Sequence, residues 1–199
     1  MSFSQQIYRS ADQVELEWEG YTKFQRDEMV SFRDFLFNEG HYERCLISSF
    51  QFLYRLPDDP AKPALLHLIA RSYEEMGNYS LARRYYNRVV DIEEPNSIAY
   101  KSAKYREIYC YLMEGDISSV KLKTDSSKDP YFLTLRGYGY LKSLDWEKAR
   151  TVFISAEEKF KDKHYSKLMI PLYQAIENVS GIRKHSKLKV ALSGLFLPG

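Results

Sequence analysis

The sequence contains little glycine, proline or cysteine, and each shortage argues against a class of fold. Nine glycines and seven prolines among 199 residues are too few for an all-β fold with a turn every ~10 residues. The two cysteines, Cys45 and Cys110, are far apart, which argues against a disulfide framework, a zinc ribbon or a thioredoxin-type site. We interpret both as small buried thiols. No apolar run reaches the ~18 residues typical of a membrane-spanning helix.

The sequence also lacks the motifs of common catalytic and cofactor sites. Its four histidines form neither an HExxH motif nor a closely spaced metal-binding set, and no loop carries the Gly-Lys-Ser/Thr of a phosphate site. Gly137-Tyr138-Gly139 lacks the third glycine of a dinucleotide loop. His41 and Cys45 lie four residues apart, but such an isolated pair is weak evidence for a nucleophile and its base. We therefore predict that the chain is not an enzyme and has no catalytic residue, metal or cofactor.

Acidic and basic residues nearly balance, with 29 Lys and Arg against 27 Asp and Glu. The last 19 residues hold four of the basic residues and no acidic one, so the rest of the chain has a slight acidic excess. Contacts to phosphates supply most of the affinity of nucleic-acid-binding proteins. We therefore expect no nucleic-acid partner.

Aromatic residues are abundant, with 17 Tyr and 11 Phe, and similar turn segments recur along the chain. Each segment has a polar turn, usually opened by glycine, then a large apolar residue, and three residues later a small or compact one. The small residues are Cys45, Ala82, Val120 and Ala149, which lie 37, 38 and 29 positions apart. A period near ~34 residues is typical of a helical repeat array whose stacked units share one core.

Helical patterning flanks each turn. On both sides of Gly77, apolar residues recur at the spacing of one helix face. They are Leu66, Ile69, Ala70 and Tyr73 before the turn, and Ala82, Tyr86 and Val89 after it. Gly40, Gly77 and Gly115 are placed to end helices in the left-handed conformation. Asp59-Pro60 and Asp129-Pro130 are typical of a helix N-cap followed by the first helical residue.

With this pattern the chain resembles a tetratricopeptide repeat protein, whose repeat reads W-x2-L-G-x2-Y, then Ala, Phe and Pro. Residues 63–96 match it through Leu66, Ile69, Ala70, Tyr73, Gly77, Tyr79, Ala82, Tyr86 and Val89. Residues 130–162 match it through Leu133, Gly137, Tyr140, Trp146, Ala149, Phe153 and Ala156. Residues 26–59 match more loosely, with Arg33 where the pattern has a small residue. Residues 98–129 are degenerate, since a turn-like stretch after Lys123 ends their second helix early.

The resemblance implies an all-α fold, a right-handed α–α superhelix of about four helix pairs with a capping helix at each end. We assign residues 1–25 to an N-terminal capping helix, 26–162 to the repeat array, 163–182 to a second capping helix and 183–199 to a basic and apolar tail. Residues 7–24 also alternate in part with period two, but the all-α context favours a helix. The helix at 164–180 is either a cap or the first half of a fifth unit.

In this family the first helix of each pair lines a concave groove that holds a protein or peptide ligand. The resemblance places these residues in the groove: Asp34, His67, Arg71, Glu74, Ser102, Tyr105, Tyr109, Tyr131, Tyr138 and Leu141. Tyrosines offer a large contact area with few rotatable bonds, which suits peptide capture. Alternatively, several of these tyrosines pack against the short helix of the degenerate repeat. Some family members hold a chaperone's C-terminal carboxylate here, but Asp34 at a clamp position would repel it, so we do not expect that ligand.

The tail combines basic residues with an apolar run. Its basic residues are Arg183, Lys184, Lys187 and Lys189, and the run that follows includes Leu195 and Phe196. This order resembles the flank of a membrane segment, and Pro198-Gly199 is similar to the start of a membrane hairpin that follows the repeats in some bacterial envelope proteins. We expect the soluble part of a longer, membrane-attached protein, in the bacterial cell envelope rather than the cytoplasm. The alternative is an amphipathic last helix that docks on the final repeat.

The predicted function is that of a protein- or peptide-binding scaffold near a bacterial membrane, which the tail would contact. The alternative is a regulatory or substrate-delivering soluble domain of a larger membrane-embedded enzyme or transporter. The pattern identifies neither the partner nor the oligomeric state.

Overall fold

The structure, a computed structural model, describes residues 11–160, 164, 167 and 170–178, with side chains from residue 25 onward. All regular elements of this part of the chain are helices. They are α1 (Ala11–Asn38), α2 (Tyr42–Arg55), α3 (Lys62–Glu75), α4 (Tyr79–Ile92), α5 (Ile98–Glu114), α6 (Ile117–Thr124), α7 (Pro130–Lys142) and α8 (Trp146–Glu157). A further helix, α9, covers residues 170–178, and residues 164 and 167 are helical as well. The all-α prediction is confirmed.

The chain forms two compact units, one ending at Glu93 and the other beginning at Glu94. In the first unit, α1 packs on α2, α2 on α3 and α3 on α4. Their shared core is formed by Leu46, Phe52, Leu65 and Ile69, with Met29, Val30, Leu53, Tyr73 and Tyr85 packed against it. Each helix therefore buries its apolar stripe against the next helix along the chain.

In the second unit, α5 packs on α6, α6 on α7 and α7 on α8, and α5 also packs directly on α7. One core cluster contains Ile108, Leu112, Val120 and Leu135. A second cluster joins α8 to α9 through Ala149, Phe153 and Ile176. The predicted helix after the array is thus present at residues 170–178, and Ile176 packs it on the preceding pair.

A large and a small residue, sixteen positions apart, are buried in each successive pair of helices. The pairs are Arg33 and Ser49, Ala70 and Tyr86, Ile108 and Thr124, and Gly137 and Phe153. The members of the last pair meet, since a Cβ added at Gly137 would lie 2.5 Å from the Phe153 ring. Arg33, at a position where the repeat pattern has a small residue, is buried, and its guanidinium lies 5.6 Å from the Phe52 ring centroid.

The turns between paired helices follow the sequence prediction. Gly40, Gly77 and Gly115 all have positive φ, between +75° and +83°, as a left-handed C-terminal cap requires. The fourth turn has no glycine, and Leu144 takes the same conformation with φ of 59°. A leucine is strained there because its Cβ crowds the following carbonyl.

The two predicted Asp-Pro starts differ. Asp129 caps α7, which begins at Pro130, and its carboxylate accepts the Tyr131 N–H. The prediction at Asp59-Pro60 is wrong by two residues, because α3 begins at Lys62. Asp59 accepts the Ala61 N–H at 2.8 Å and two hydrogen bonds from Arg26, at 2.7 and 2.8 Å, which tie the loop before α3 to α1.

Two helix lengths bear on the repeat pattern. Helix α1 runs through 28 residues without a break, so the helix predicted before residue 25 is continuous with the first helix of the array. Helix α6 has only eight residues and ends at Thr124, which confirms the early end expected near Lys123.

No helix in the described part is both long and apolar enough to cross a membrane.

Candidate functional site

The groove residues predicted in the first unit lie on α1 and α3 and divide into two groups. Asp34 is exposed on α1, and the Arg71 guanidinium lies 5.3 Å from the Phe37 ring centroid and donates to Glu75 at 2.9 Å. Glu74, in contrast, is only 7% exposed and accepts the Tyr86 hydroxyl at 2.6 Å. The His67 ring also packs edge-on against Tyr86.

Glu74 therefore has a structural role within the helix pair, since its carboxylate is bonded to a buried tyrosine. His67 packs against the same tyrosine from two turns earlier on the same face of α3. Asp34 and Arg71 are the predicted charged groove residues of this unit that have accessible side-chain surface.

In the second unit, the predicted residues lie on α5 and α7, and their exposure differs. Tyr105 and Tyr109 are half-buried and pack against the core around Ile108. Leu141 packs against the cluster that joins α8 to α9. The sequence left open whether such tyrosines bind a partner or fill the core. Tyr105 and Tyr109 both contact the core.

Tyr131 and Tyr138 are more accessible. The Tyr131 side chain is 60% exposed, and its ring packs edge-on against Phe160 at 4.9 Å and Tyr105 at 6.3 Å. Tyr138 is partly exposed and packs edge-on against Phe153. Each ring thus packs edge-on against an aromatic neighbour while part of its surface stays accessible.

A cavity of about 570 Å³ lies between the N-terminal half of α5 and the first turn of α7, and Tyr131 lines it. Its lining residues are Ile98, Lys101, Ser102, Tyr105, Arg106, Asp129, Tyr131 and Phe132. Ile98 is 89% exposed, although it is aliphatic. Cavities of this size with apolar walls and a few polar groups are typical of binding sites.

Two helix starts create this cavity. Ser97 caps α5 by accepting the Tyr100 N–H at 3.0 Å, and Asp129 caps α7 by accepting the Tyr131 N–H at 2.9 Å. Capping orders the first turn of each helix, so Ile98 and Tyr131 project from ordered backbone. Helix α5 packs directly on α7, and the Tyr105 ring, two turns into α5, meets the Tyr131 ring at the start of α7.

The charged residues in the cavity lining are mostly basic. Lys101 and Arg106 lie on α5, whereas Asp129 is the acidic residue in the lining. The Asp129 carboxylate already accepts a backbone N–H at the start of α7, where the partial positive charge of the helix end offsets its own charge. The cavity therefore combines an apolar wall with a positive rim.

Sequence reasoning identified three of the lining residues as groove positions, namely Ser102, Tyr105 and Tyr131. It missed Ile98, Lys101, Arg106 and Phe132, which are not among the predicted groove positions, and it identified Asp129 only as a helix cap. One signal in the sequence could have indicated that Ile98 is exposed. Ser97 is a typical N-cap residue, and an aliphatic residue directly after an N-cap has no earlier turn of its own helix to pack against.

The predicted tail residues Arg183, Lys184, Lys187, Lys189, Leu195 and Phe196 lie outside the described residues. Within the described part, no group of three or more His, Cys, Asp or Glu side chains is arranged to hold a metal ion. Cys45 and Cys110 are buried free thiols there, as predicted.

The chain was also compared with known proteins. No protein-family model, no curated protein and no solved structure matches it.

Proposed function

We propose that this protein is a tetratricopeptide-like module, a right-handed helical-repeat array, that binds a peptide segment of a partner protein at the cavity between α5 and α7. Consecutive helix packing supports the repeat assignment. So do the four buried large-and-small pairs with their constant spacing of sixteen residues. The predicted scaffold role near a bacterial membrane rests on the tail and stays a prediction.

One observation carries the binding proposal, namely that two apolar side chains are left exposed on the same cavity. Ile98 and Tyr131 are 89% and 60% exposed, and both line it. Single exposed apolar residues are normal on protein surfaces, but apolar residues grouped around a concavity mark interaction sites. A tyrosine held by edge contacts loses little side-chain entropy on binding.

The test is a selection of random peptides displayed on phage against the full chain, followed by affinity measurements on the selected peptides. Tyr131→Ala should weaken their binding by about tenfold or more, the size typical of a central aromatic contact. Phe35→Ala is the matched control, since Phe35 is a similarly exposed aromatic residue of the first unit and should leave the affinity unchanged. Thermal melting should show that both variants stay folded.

The proposal is wrong if the selection yields no peptide that binds the wild-type chain. It is also wrong if the folded Tyr131→Ala variant binds the selected peptides as tightly as the wild type does.

A further inference from the structure

We infer that the peptide segment bound between α5 and α7 is acidic and presents an aliphatic or aromatic side chain to the cavity. This inference rests on the proposed function and names the chemistry of its partner.

The apolar requirement follows from the cavity walls. Tyr131 and Phe132 stand on the first turn of α7, and Ile98 stands on the first turn of α5. A polar side chain packed against Ile98 and the Phe132 ring would lose hydrogen bonds to water that these apolar groups cannot replace. An aliphatic or aromatic side chain would instead cover the exposed surface of Ile98 and Tyr131, which water now contacts.

The acidic requirement follows from Lys101, an exposed residue of the cavity lining. Other lysines of this unit are engaged within it: Lys123 pairs with Glu107 at 2.8 Å, Lys148 pairs with Asp145 at 2.9 Å, and Lys142 donates to the Leu112 carbonyl at 2.6 Å. Lys101, in contrast, makes no ion pair with any described residue. Its charge is available to a partner.

The acidic residue of the lining does not compete with a partner for Lys101. Asp129 is held at the α7 cap, where its carboxylate accepts the Tyr131 N–H. An acidic residue beside the inserted side chain would therefore meet the charge of Lys101. Complementary charges of this kind favour the correct partner and disfavour one of opposite sign.

The test compares three synthetic peptides of equal length by fluorescence polarisation with the full chain. The first carries a central phenylalanine flanked by aspartates, the second replaces the aspartates with lysines, and the third replaces the phenylalanine with alanine. The wild type should bind the first peptide most tightly, and this binding should weaken as salt screens the charges.

Lys101→Glu should reduce the affinity for the aspartate–phenylalanine peptide by several-fold to about tenfold and raise that for the lysine–phenylalanine peptide. The variant should fold, because a glutamate near the start of α5 is favoured by the helix dipole. Arg84→Glu, at an exposed position of α4 in the first unit, changes the net charge equally and should leave both affinities unchanged.

The outcomes separate the inference from the proposed function. If aspartate and lysine peptides bind equally well and Tyr131→Ala weakens both, the acidic requirement is wrong while the peptide-binding function stands. If Lys101→Glu binds the aspartate peptide as the wild type does, the inference is wrong as well. If neither these peptides nor any peptide from the phage selection binds the wild type, the proposed function itself is wrong.

Discussion

Asp59 shows how a single carboxylate can connect separate helices. The Arg26 guanidinium donates two hydrogen bonds to it from α1, and the Ala61 N–H donates another. The hydrogen bond and charge of Arg26 outweigh the effect of burial and hold the pKa of Asp59 below its usual value. The ionised form is therefore more stable in the folded chain than in the unfolded chain.

This depressed pKa predicts how stability changes with pH. The contribution of Asp59 is fully present above the carboxyl pKa of the unfolded chain, which is ~4, and is lost as pH falls through the lower folded pKa. Asp59→Asn should thus lower the free energy of unfolding at neutral pH, measured by urea denaturation. The difference from the wild type should shrink in strongly acidic solution. An equal difference at both pH values would contradict the ionic role of Asp59.

Leu144 provides a second prediction at the same scale. Its φ of 59° is strained for leucine, and its side chain is 54% exposed, so little packing is lost on truncation. Leu144→Gly should raise the free energy of unfolding by about 0.5–1 kcal/mol, since glycine adopts this conformation without strain.

Leu122→Gly is the control for Leu144→Gly. Leu122 is 81% exposed but lies within helix α6, where glycine should lower stability by about 1 kcal/mol. Thermal melting of both variants measures the contrast. A destabilised Leu144→Gly variant would show that the leucine side chain contributes more by packing than it costs by strain.

At the scale of elements, the pair of Gly137 and Phe153 decides how closely α7 approaches α8. In α7, a Cβ added at Gly137 would lie 2.5 Å from the ring of Phe153 on α8, whereas one added at Gly139 would lie 3.3 Å from a Val120 methyl group. Phe153 is fully buried and has no free space in which to move. The absence of a side chain at Gly137 is therefore what lets α7 and α8 pack this closely.

Gly137→Ala should accordingly destabilise the chain by about 1–3 kcal/mol, the usual cost of overpacking. Gly139→Ala should cost less, because its neighbour need shift by only a few tenths of an ångström and alanine favours the helix. Urea denaturation compares the two variants. In the double variant Gly137→Ala with Phe153→Leu, the loss of unfolding free energy should be smaller than the sum of the losses in the two single variants, because the smaller leucine leaves room for the added Cβ. Equal losses in the two alanine variants would argue against a close contact at Phe153.

At the scale of the whole molecule, the chain is two compact units, each with its own core. The cavity belongs entirely to the second unit, and its walls come from α5 and α7. The accessible charged residues Asp34 and Arg71 belong to the first unit. The proposed binding site is thus formed by the second unit alone. The Tyr131→Ala and Lys101→Glu substitutions should therefore change binding without altering the first unit.

Local features of the sequence were enough to predict where most helices end. Gly40, Gly77 and Gly115 end helices because glycine adopts positive φ without strain. Asp129-Pro130 begins α7 because a carboxylate cap and a fixed φ act within one turn. At Asp59 the carboxylate likewise accepts a backbone N–H two residues on, but the helix begins only at Lys62, and Arg26, 33 positions earlier in the sequence, adds two hydrogen bonds to that carboxylate. Contacts within one turn can be predicted from neighbouring residues, and a distant ion pair cannot.

What the sequence by itself determined is therefore the all-α fold, the helix ends and the set of aromatic residues available for binding. Only the tertiary structure decided which of them stay exposed. Tyr109 packs on the core while Tyr131, with the same side chain, is mostly open to solvent. The physical reason is that exposure depends on which neighbouring helix covers a residue. The cavity likewise exists only because the N-terminal half of α5 and the first turn of α7 lie together.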